Sequence, residues 1–362
     1  MTRLLDVQDL RVEFRTRDGI AEAVGGVSYG VDAGRTLAVL GESGSGKSVT
    51  AQAIMGILDS PPGRVTGGRV LFRGRDLLTM SARERRRIRG AAMAMIFQDA
   101  LSALNPVLPV GAQLAEMYQV HRGMSGKDAR RRAVELMDRV RIPAAGQRAG
   151  DYPHQFSGGM RQRIMIAMAM ALEPDLIIAD EPTTALDVTV QAQVMDLLAE
   201  LRREYAMGLV LITHDLGVVA DVADTIAVMY AGRIVETAPV RELYRRPAHP
   251  YTRGLLDSVP RVDDPGARRN DRGEPVDRGD RARRNRRGHR GGRLYAIKGA
   301  PPSPLALPSG CPFHPRCPRA QEICRGERPP LYEVTAAVAS PASGGRTSAC
   351  HFWKDELDGL DV

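Results

Sequence analysis

The chain has 362 residues, of which 43% are hydrophobic, which allows one large α/β domain with an appendage or two domains. It contains no apolar run near the ~18 residues of a membrane span and no signal-peptide pattern at its N-terminus, so a soluble or peripheral, cytosolic protein is expected. The net charge of +8 first suggests nucleic acid or anionic lipid, yet residues 261–293 alone hold a surplus of six positive charges, so the basicity says little about the folded part.

The first predicted elements are strands, a loop and a helix. Residues 4–40 are predicted to form strands, ending in the apolar run 36–40, and residues 49–58 are expected to be helical. Between them, residues 41–48 fit the phosphate-loop pattern without a mismatch, and the glycines of this pattern allow backbone N–H groups to surround a phosphate. Lys47 would neutralise β/γ charge and Ser48 would bind Mg²⁺. The nucleotide-binding residues expected here are Gly41, Glu42, Ser43, Gly44, Ser45, Gly46, Lys47 and Ser48.

Helices and strands continue to alternate further along the chain. Strands are predicted at 68–72 and 93–97, and a polar helical insertion at about 99–160 interrupts the α/β core. The alternation then resumes with a helix at 158–172, a strand at 175–180, a helix at 188–205, strands at 208–213 and 224–230, and a final hairpin arm at 232–236. The predicted fold class is therefore α/β, with one domain over residues 1–260.

Two acids follow the apolar run 176–179. Asp180 lies at a strand end, where a carboxylate can hold Mg²⁺ through water, and Glu181 is placed to polarise a water molecule for attack on a γ-phosphate. Taken alone, these two acids could equally serve as helix caps or surface groups. The phosphate loop in the same chain favours the catalytic interpretation.

The segment Phe156-Ser157-Gly158-Gly159-Met160-Arg161-Gln162, together with the later Asp180-Glu181, resembles the ABC transporter ATPases. The resemblance implies a phosphate-loop ABC ATPase core with an antiparallel β subdomain and a helical subdomain, using ATP and Mg²⁺. A Ser-Gly-Gly helix start lets backbone amides approach a phosphate, and in the family this signature faces the ATP of the opposite subunit. Because the chain has one phosphate loop and one signature, a second ATPase subunit is expected, as a different paralogous chain.

The resemblance also implies roles for residues outside the loop. Gln98 would meet Mg²⁺ and the attacking water, and His214 would contact the γ-phosphate. Phe14 would stack on adenine, although a Phe in a strand usually belongs to the core. The implied residues are Glu181, His214 and Gln98 for catalysis, Ser48, Gln98 and Asp180 for Mg²⁺, Ser157, Gly158 and Gly159 for the signature, and Asp187 for the D-loop.

Longer segments narrow the resemblance to the oligopeptide/dipeptide importers. These segments are 96–106, 156–172, 179–194, 213–220, 249–252, 301–305 and 310–318. The implied function is ATP hydrolysis that powers peptide import. Nickel importers and some sugar importers share this ATPase sequence, so import of nickel or another solute is the alternative, and a non-transport ABC ATPase acting on nucleic acid or ribosomes is a weaker one. The implied partners are two permease subunits and an external solute-binding protein, with this chain on the cytoplasmic face of the membrane and no nucleic acid.

The last hundred residues are predicted to divide into a linker and an extension. Residues 261–293 contain twelve Arg and six acidic residues, and their only larger aliphatic residues are Val262 and Val276. So little apolar surface cannot offset the entropy cost of ordering, so a disordered linker is expected. A basic recognition arm is the alternative. Residues 294–362 would form a small extension that contains all four cysteines, and clustered thiols in a cytosolic chain favour a metal or cluster site. The resemblance implies a [4Fe–4S] cluster, while Zn²⁺ and free or disulfide thiols stay open. The expected ligands are Cys311, Cys317, Cys324 and Cys350, with His314 and His351 as substitutes.

Overall fold

A computed structural model of the protein describes residues 3–184, 186–259, 297–334 and 345–358. The linker predicted at 261–293 lies outside these residues, as do parts of the expected extension. Among the residues that the structure describes, no helix is both long and apolar enough to cross a membrane.

Twelve strands form two sheets in the described part of the chain. In chain order they are β1 (Leu5–Thr16), β2 (Gly19–Val31), β3 (Thr36–Leu40), β4 (Gly63–Phe72), β5 (Arg75–Asp76), β6 (Met93–Ile96), β7 (Leu176–Asp180), β8 (Gly208–Thr213), β9 (Thr225–Tyr230), β10 (Arg233–Pro239), β11 (Tyr332–Glu333) and β12 (Thr347–Ser348). The smaller sheet is antiparallel, in the order β2-β1-β4-β5. The larger sheet has the order β11-β12-β10-β9-β3-β8-β7-β6, and its strands from β9 to β6 are parallel.

Helices cover the larger sheet and also form a layer of their own. In chain order they are α1 (Lys47–Met55), α2 (Ala82–Ile88), α3 (Ala100–Ala103), α4 (Val110–Arg122), α5 (Gly126–Arg139), α6 (Ala145–Arg148), α7 (Gly158–Met170), α8 (Val188–Tyr205), α9 (Leu216–Val222), α10 (Val240–Arg245), α11 (Pro250–Asp257), α12 (Glu322–Gly326) and α13 (Trp353–Asp358). The helices α3 to α6 fall in the segment for which the sequence predicts helices. Within it, α5 buries Ala129, Ala133 and Met137 at helical spacing, and these side chains share one apolar core with α7 and α8.

The helix after the phosphate loop begins and ends earlier than the sequence predicts. Instead of residues 49–58, α1 spans Lys47–Met55. It begins within the phosphate-loop pattern, so Lys47 and Ser48 belong to its first turn. It ends at Gly56, a left-handed residue whose N–H donates to the carbonyl oxygen of Ala53. The apolar residues 57–58 that suggested a longer helix lie after it in irregular chain and pack against the core that α1 shares with the antiparallel sheet.

The C-terminal residues are joined to the larger sheet. Strand β12 pairs with β10, with Glu236 opposite Ser348, and β11 extends the sheet beyond β12. Glu236 is fully buried, accepts a hydrogen bond from the backbone N–H of Ala248 at 2.8 Å, and lies 3.4 Å from Arg346. Burial raises the pKa of Glu236, while the backbone hydrogen bond lowers it. Strand pairing and a buried ion pair therefore anchor the C-terminal residues to the larger sheet.

His249, directly before α11, is a buried histidine. Its Nδ1 accepts a hydrogen bond from the backbone N–H of Tyr251 at 3.1 Å, and its ring lies against Phe313 of the C-terminal extension. Burial lowers the pKa of His249 to about 3, whereas an unfolded histidine titrates near pH ~6.5. Between these values the unfolded chain binds a proton that the folded chain does not. The free energy of unfolding therefore falls as the pH drops below about 6.5, by up to about 1.4 kcal/mol per pH unit.

The variant His249→Asn should weaken this pH dependence, because the Asn side chain can accept the same capping hydrogen bond without titrating. Urea unfolding at about pH 6.5 and about pH 5 should show a smaller loss of stability in the variant than in the parent protein. His121→Asn, at an exposed histidine in the last turn of α4, is the control and should retain the parent's loss. An equal loss in His249→Asn and the parent would show that this imidazole is not its source.

Candidate active site

The phosphate loop connects β3 to α1 at the carboxyl end of the larger sheet. Two of its glycines lie too close to neighbouring backbone to carry a side chain. A Cβ at Gly41 would lie 2.2 Å from the carbonyl oxygen of Met229, and one at Gly46, where φ is 98°, would lie 2.5 Å from that of Ala23. The loop is therefore held in shape by β9 on one side and β2 on the other.

Lys47 is buried and folds back on the loop. Its Nζ donates to the carbonyl oxygens of Gly41, at 2.8 Å, and Glu42, at 3.0 Å. Burial lowers the pKa of Lys47, and the negative charges of Glu181 and Asp180 oppose this shift. The ammonium group thus lies between the loop and two carboxylates, where a phosphate could replace the two carbonyl oxygens as its partner.

Ser48 and Asp180 meet at the base of the loop. The hydroxyl of Ser48 donates to Asp180 Oδ1 at 2.9 Å, and Asp180 ends β7 with only 5% of its surface exposed. Burial raises the pKa of Asp180, while the hydrogen bond from Ser48 lowers it. A hydroxyl and a carboxylate oxygen are hard ligands of the kind that suits Mg²⁺. Ser45 Oγ is buried nearby in the loop and has no hydrogen-bond partner among the described residues, so the donor chemistry fits a bound phosphate and its metal.

Three side chains converge on Glu181, which follows β7 with a left-handed φ of 46°. Its Oε2 accepts hydrogen bonds from Gln98 Nε2 at 3.1 Å and Thr184 Oγ1 at 2.9 Å, and lies 3.5 Å from His214 Nδ1. Gln98 follows β6 and His214 follows β8, the two strands that flank β7. Because the three strands are parallel, their carboxyl ends lie at the same edge of the sheet. The structure thus brings together the three predicted catalytic residues.

Thr184 is a member of this cluster that the sequence analysis did not single out. The signal available was its position three residues after Glu181, in Pro182-Thr183-Thr184. A threonine in a turn has many local uses, so its hydrogen bond to Glu181 becomes evident only from the folded chain.

The signature and the D-loop lie together. Ser157 caps α7 by accepting a hydrogen bond from the N–H of Met160 at 3.4 Å, and Asp187 caps α8 through the N–H of Val190 at 2.9 Å. A Cβ at Gly159 would lie 2.5 Å from Cγ1 of Val190, so the two segments pack closely. Among the described residues, no hydrogen bond or ion pair joins Ser157, Gly158, Gly159 or Asp187 to the phosphate loop.

Comparison with known proteins places this site in a family. The family described as ABC transporter matches residues 24–184, and the oligopeptide/dipeptide transporter, C-terminal region, matches residues 235–283 and 280–324. The chain is 49% identical over 324 residues to the dipeptide transport ATP-binding protein DppD of Bacillus subtilis, covering 90% of this chain and 89% of the relative. It is 47% identical over 354 residues to the oligopeptide transport ATP-binding protein OppD of Salmonella typhimurium, covering 98% and 95%.

The chain belongs to the ATP-binding subunits of the oligopeptide/dipeptide ABC transporters. The family and the coupling of ATP hydrolysis to transport that the sequence resemblance implies are thereby confirmed. A solved dimeric ATP-binding cassette, in a post-hydrolysis state bound to ADP and Pi, matches with a TM-score of 0.59 and 28% identity over 66% of this chain and 99% of its own. The predicted α/β ABC ATPase fold of this transport ATPase is confirmed as well.

Phe14, expected to stack on adenine, lies in β1 of the transport ATPase and pairs with Ala21 of β2. Its half-buried side chain packs against the apolar core beneath the antiparallel sheet. Both a core role and an adenine contact fit this position, so the adenine contact stays a prediction.

The prediction of an iron–sulfur cluster in this transport ATPase is wrong. The four expected ligands do line one cavity, together with His314 and His351. In the described residues, however, no group of three or more His, Cys, Asp or Glu side chains is arranged to hold a metal ion, so neither a cluster nor Zn²⁺ fits. Burial raises the pKa of Cys311, of Cys317 to about 11 and of Cys350 to about 12, so these three thiols are protonated at neutral pH. The cysteines that the structure shows as free thiols are Cys311, Cys317, Cys324 and Cys350.

Proposed function

We propose that this transport ATPase binds ATP with Mg²⁺ at the phosphate loop and hydrolyses it with Glu181 as general base, to power peptide import. The observation that carries the proposal is the convergence of Gln98, Thr184 and His214 on one oxygen of Glu181, one residue from the Ser48–Asp180 pair. A carboxylate held by several polar groups next to a phosphate site is suited to activate a water molecule.

Each residue then has a defined task. Loop amides and Lys47 bind the β- and γ-phosphates, and Ser48 and Asp180 would hold Mg²⁺, which offsets phosphate charge when bound. Glu181 takes a proton from water as the water attacks the γ-phosphorus and the bond to ADP breaks. Gln98, which donates to Glu181 in this structure, can donate to that water instead, and His214 can donate to a γ-phosphate oxygen.

The proposal includes a second ATPase subunit. Ser157, Gly158 and Asp187 are exposed, and the apolar Val188 beside them is 83% exposed, so this surface is open to a partner. The solved cassette with ADP and Pi is dimeric. We therefore place the signature against the ATP of a partner ATPase, which we propose to be a paralogous chain.

Apolar side chains are also exposed beside Gln98. This Q-loop patch consists of Phe97, Leu101, Val107 and Leu108, of which Val107 is 75% exposed. A patch of this kind marks a protein contact, and we propose that it docks on two permease subunits at the cytoplasmic face of the membrane. A movement of the permeases would then shift Gln98, which is adjacent to Phe97 of the patch and donates a hydrogen bond to Glu181. An external solute-binding protein would deliver the peptide to the same permeases.

Reconstitution of the complete complex in vesicles tests this function. ATP should drive uptake of a labelled oligopeptide, and Val107→Asp should abolish co-purification with the permeases and uptake while the isolated subunit still binds ATP. Val120→Asp is the matched control, because Val120 is also an exposed valine, at 69%. It lies near the far end of α4, about 15 Å from the first residue of that helix and so outside the Q-loop patch. Uptake of Ni²⁺ in place of peptide would refute the proposed cargo, and normal assembly of Val107→Asp would refute the docking surface.

A further inference from the structure

The C-terminal extension reaches the phosphate loop through Arg316. Arg316 donates from Nη1 to Glu42 Oε2 at 2.6 Å and from Nη2 to Glu42 Oε1 at 3.0 Å. Its Nε donates to the carbonyl oxygen of Lys298 at 3.1 Å, and its guanidinium lies 5.8 Å from the ring centre of Tyr230. The Arg316 side chain is only 5% exposed. A buried guanidinium with two parallel hydrogen bonds to one carboxylate has little freedom to move.

Glu42 is the second residue of the phosphate loop, and the ATPase core holds its backbone. Its N–H donates to the hydroxyl of Tyr251 at 2.9 Å, and its carbonyl oxygen accepts hydrogen bonds from the N–H of Ser45 at 3.2 Å and from Lys47 Nζ at 3.0 Å. The backbone of Glu42 is thus fixed by the core and its side chain by the extension. Fixing a loop in this way keeps its amides oriented for a phosphate before ATP arrives.

Glu42 also places a negative charge on a loop that receives a polyanion. Because its side chain is 26% exposed, water screens the charge only in part. Lys47 contacts the backbone carbonyl of Glu42, whereas Arg316 contacts the carboxylate itself. Arg316 is therefore the residue that offsets this charge.

The same extension also touches strand β2, next to the residue that pairs with Phe14. The carbonyl oxygen of Pro304 accepts a hydrogen bond from the N–H of Glu22 at 3.2 Å, and the neighbouring Ala21 pairs with Phe14. The extension is therefore docked on β2 as well as on the phosphate loop.

We propose that Arg316 is a positioning residue for ATP binding. It fixes Glu42 and offsets its charge, so the phosphate loop binds ATP tightly only when the C-terminal extension is docked. This inference rests on the proposed ATP site and gives the extension a task in the nucleotide cycle.

The test is the Kd of Mg-ATP, measured by calorimetry on the full chain. Arg316→Ala should raise the Kd about tenfold, the size of a typical coupling between two sites. Arg316→Lys, which keeps the charge but loses the planar fork, should lie between the parent and Arg316→Ala. The double variant Arg316→Ala/Glu42→Gln should bind more tightly than Arg316→Ala, because the uncompensated carboxylate is gone. Arg325→Ala, which removes an exposed pair with Glu322 in the same extension, is the control and should match the parent.

Two outcomes would overturn the proposal. One is a Kd for Arg316→Ala equal to that for Arg325→Ala, and the other is a double variant that binds no more tightly than Arg316→Ala. A merely structural role would lower the binding stoichiometry and the thermal midpoint but leave the Kd of the folded fraction unchanged. Lys47→Met distinguishes a failure of the proposed ATP site from a failure of the role proposed for Arg316. If it also leaves the Kd unchanged, the phosphate-binding role proposed for Lys47 fails as well, whereas weakened binding in Lys47→Met alone rejects only the role of Arg316.

Discussion

Glu181→Gln is expected to bind ATP as tightly as the parent protein and to hydrolyse it at least about 100-fold more slowly, the loss typical of a removed general base. The substitution preserves size and an oxygen that can accept the hydrogen bonds from Gln98 and Thr184. It removes only the capacity to take a proton from water. Measuring the Kd of Mg-ATP and the kcat of the assembled transporter under the same conditions separates binding from turnover.

Glu135→Gln is the matched control for this experiment. Glu135 is exposed on α5 and pairs with Arg132 at 3.0 Å, so its loss should leave kcat unchanged. If Glu181→Gln turned over ATP at the parent's rate, another group would have to take the proton, and His214, 3.5 Å from Glu181, would be the first to examine.

Residues that act within one short segment, or at the end of one predicted strand, could be predicted from the sequence. The glycine spacing of the phosphate loop reflects direct backbone contacts, as the packing of Gly41 against Met229 shows. Asp180 and Glu181 could be placed because an apolar strand that ends in acids brings them to the edge of a parallel sheet. Gln98 and His214 followed from the family resemblance, and the structure supplies the physical reason, since β6 and β8 flank β7.

The remaining features depend on contacts between segments that are distant in the sequence, or on distances in the folded chain that the spacing of residues in the sequence does not reveal. No local pattern indicates that Arg316 pairs with Glu42 across 274 positions, or that β12 joins the ATPase sheet. The clustering of cysteines does place the four thiols around one cavity. It does not indicate whether their side chains are arranged to share a metal ion, and in the described part of the chain they are not.

Lys47→Met is expected to raise the Kd of Mg-ATP by about 10- to 100-fold, because a hydrogen bond to a charged group contributes about 1.5–3 kcal/mol. Methionine fills most of the space of the buried lysine stem, so the packing of α1 should survive. ATP stabilises a protein in proportion to the logarithm of its concentration over Kd. The rise in thermal midpoint that a fixed concentration of Mg-ATP produces should therefore be smaller in the variant than in the parent.

Lys127→Met, at an exposed position in the first turn of α5, should retain the parent's Kd and its full rise in midpoint. An unchanged Kd in Lys47→Met would mean that the loop amides bind phosphate without the ammonium group. The hydrogen bonds of Lys47 to Gly41 and Glu42 would then be its role, and their loss would lower the midpoint of the nucleotide-free protein. If Lys47 instead binds the phosphates of ATP, its replacement lowers only the additional rise in midpoint that Mg-ATP produces. Midpoints with and without Mg-ATP thus separate a structural from a phosphate-binding lysine in a single variant.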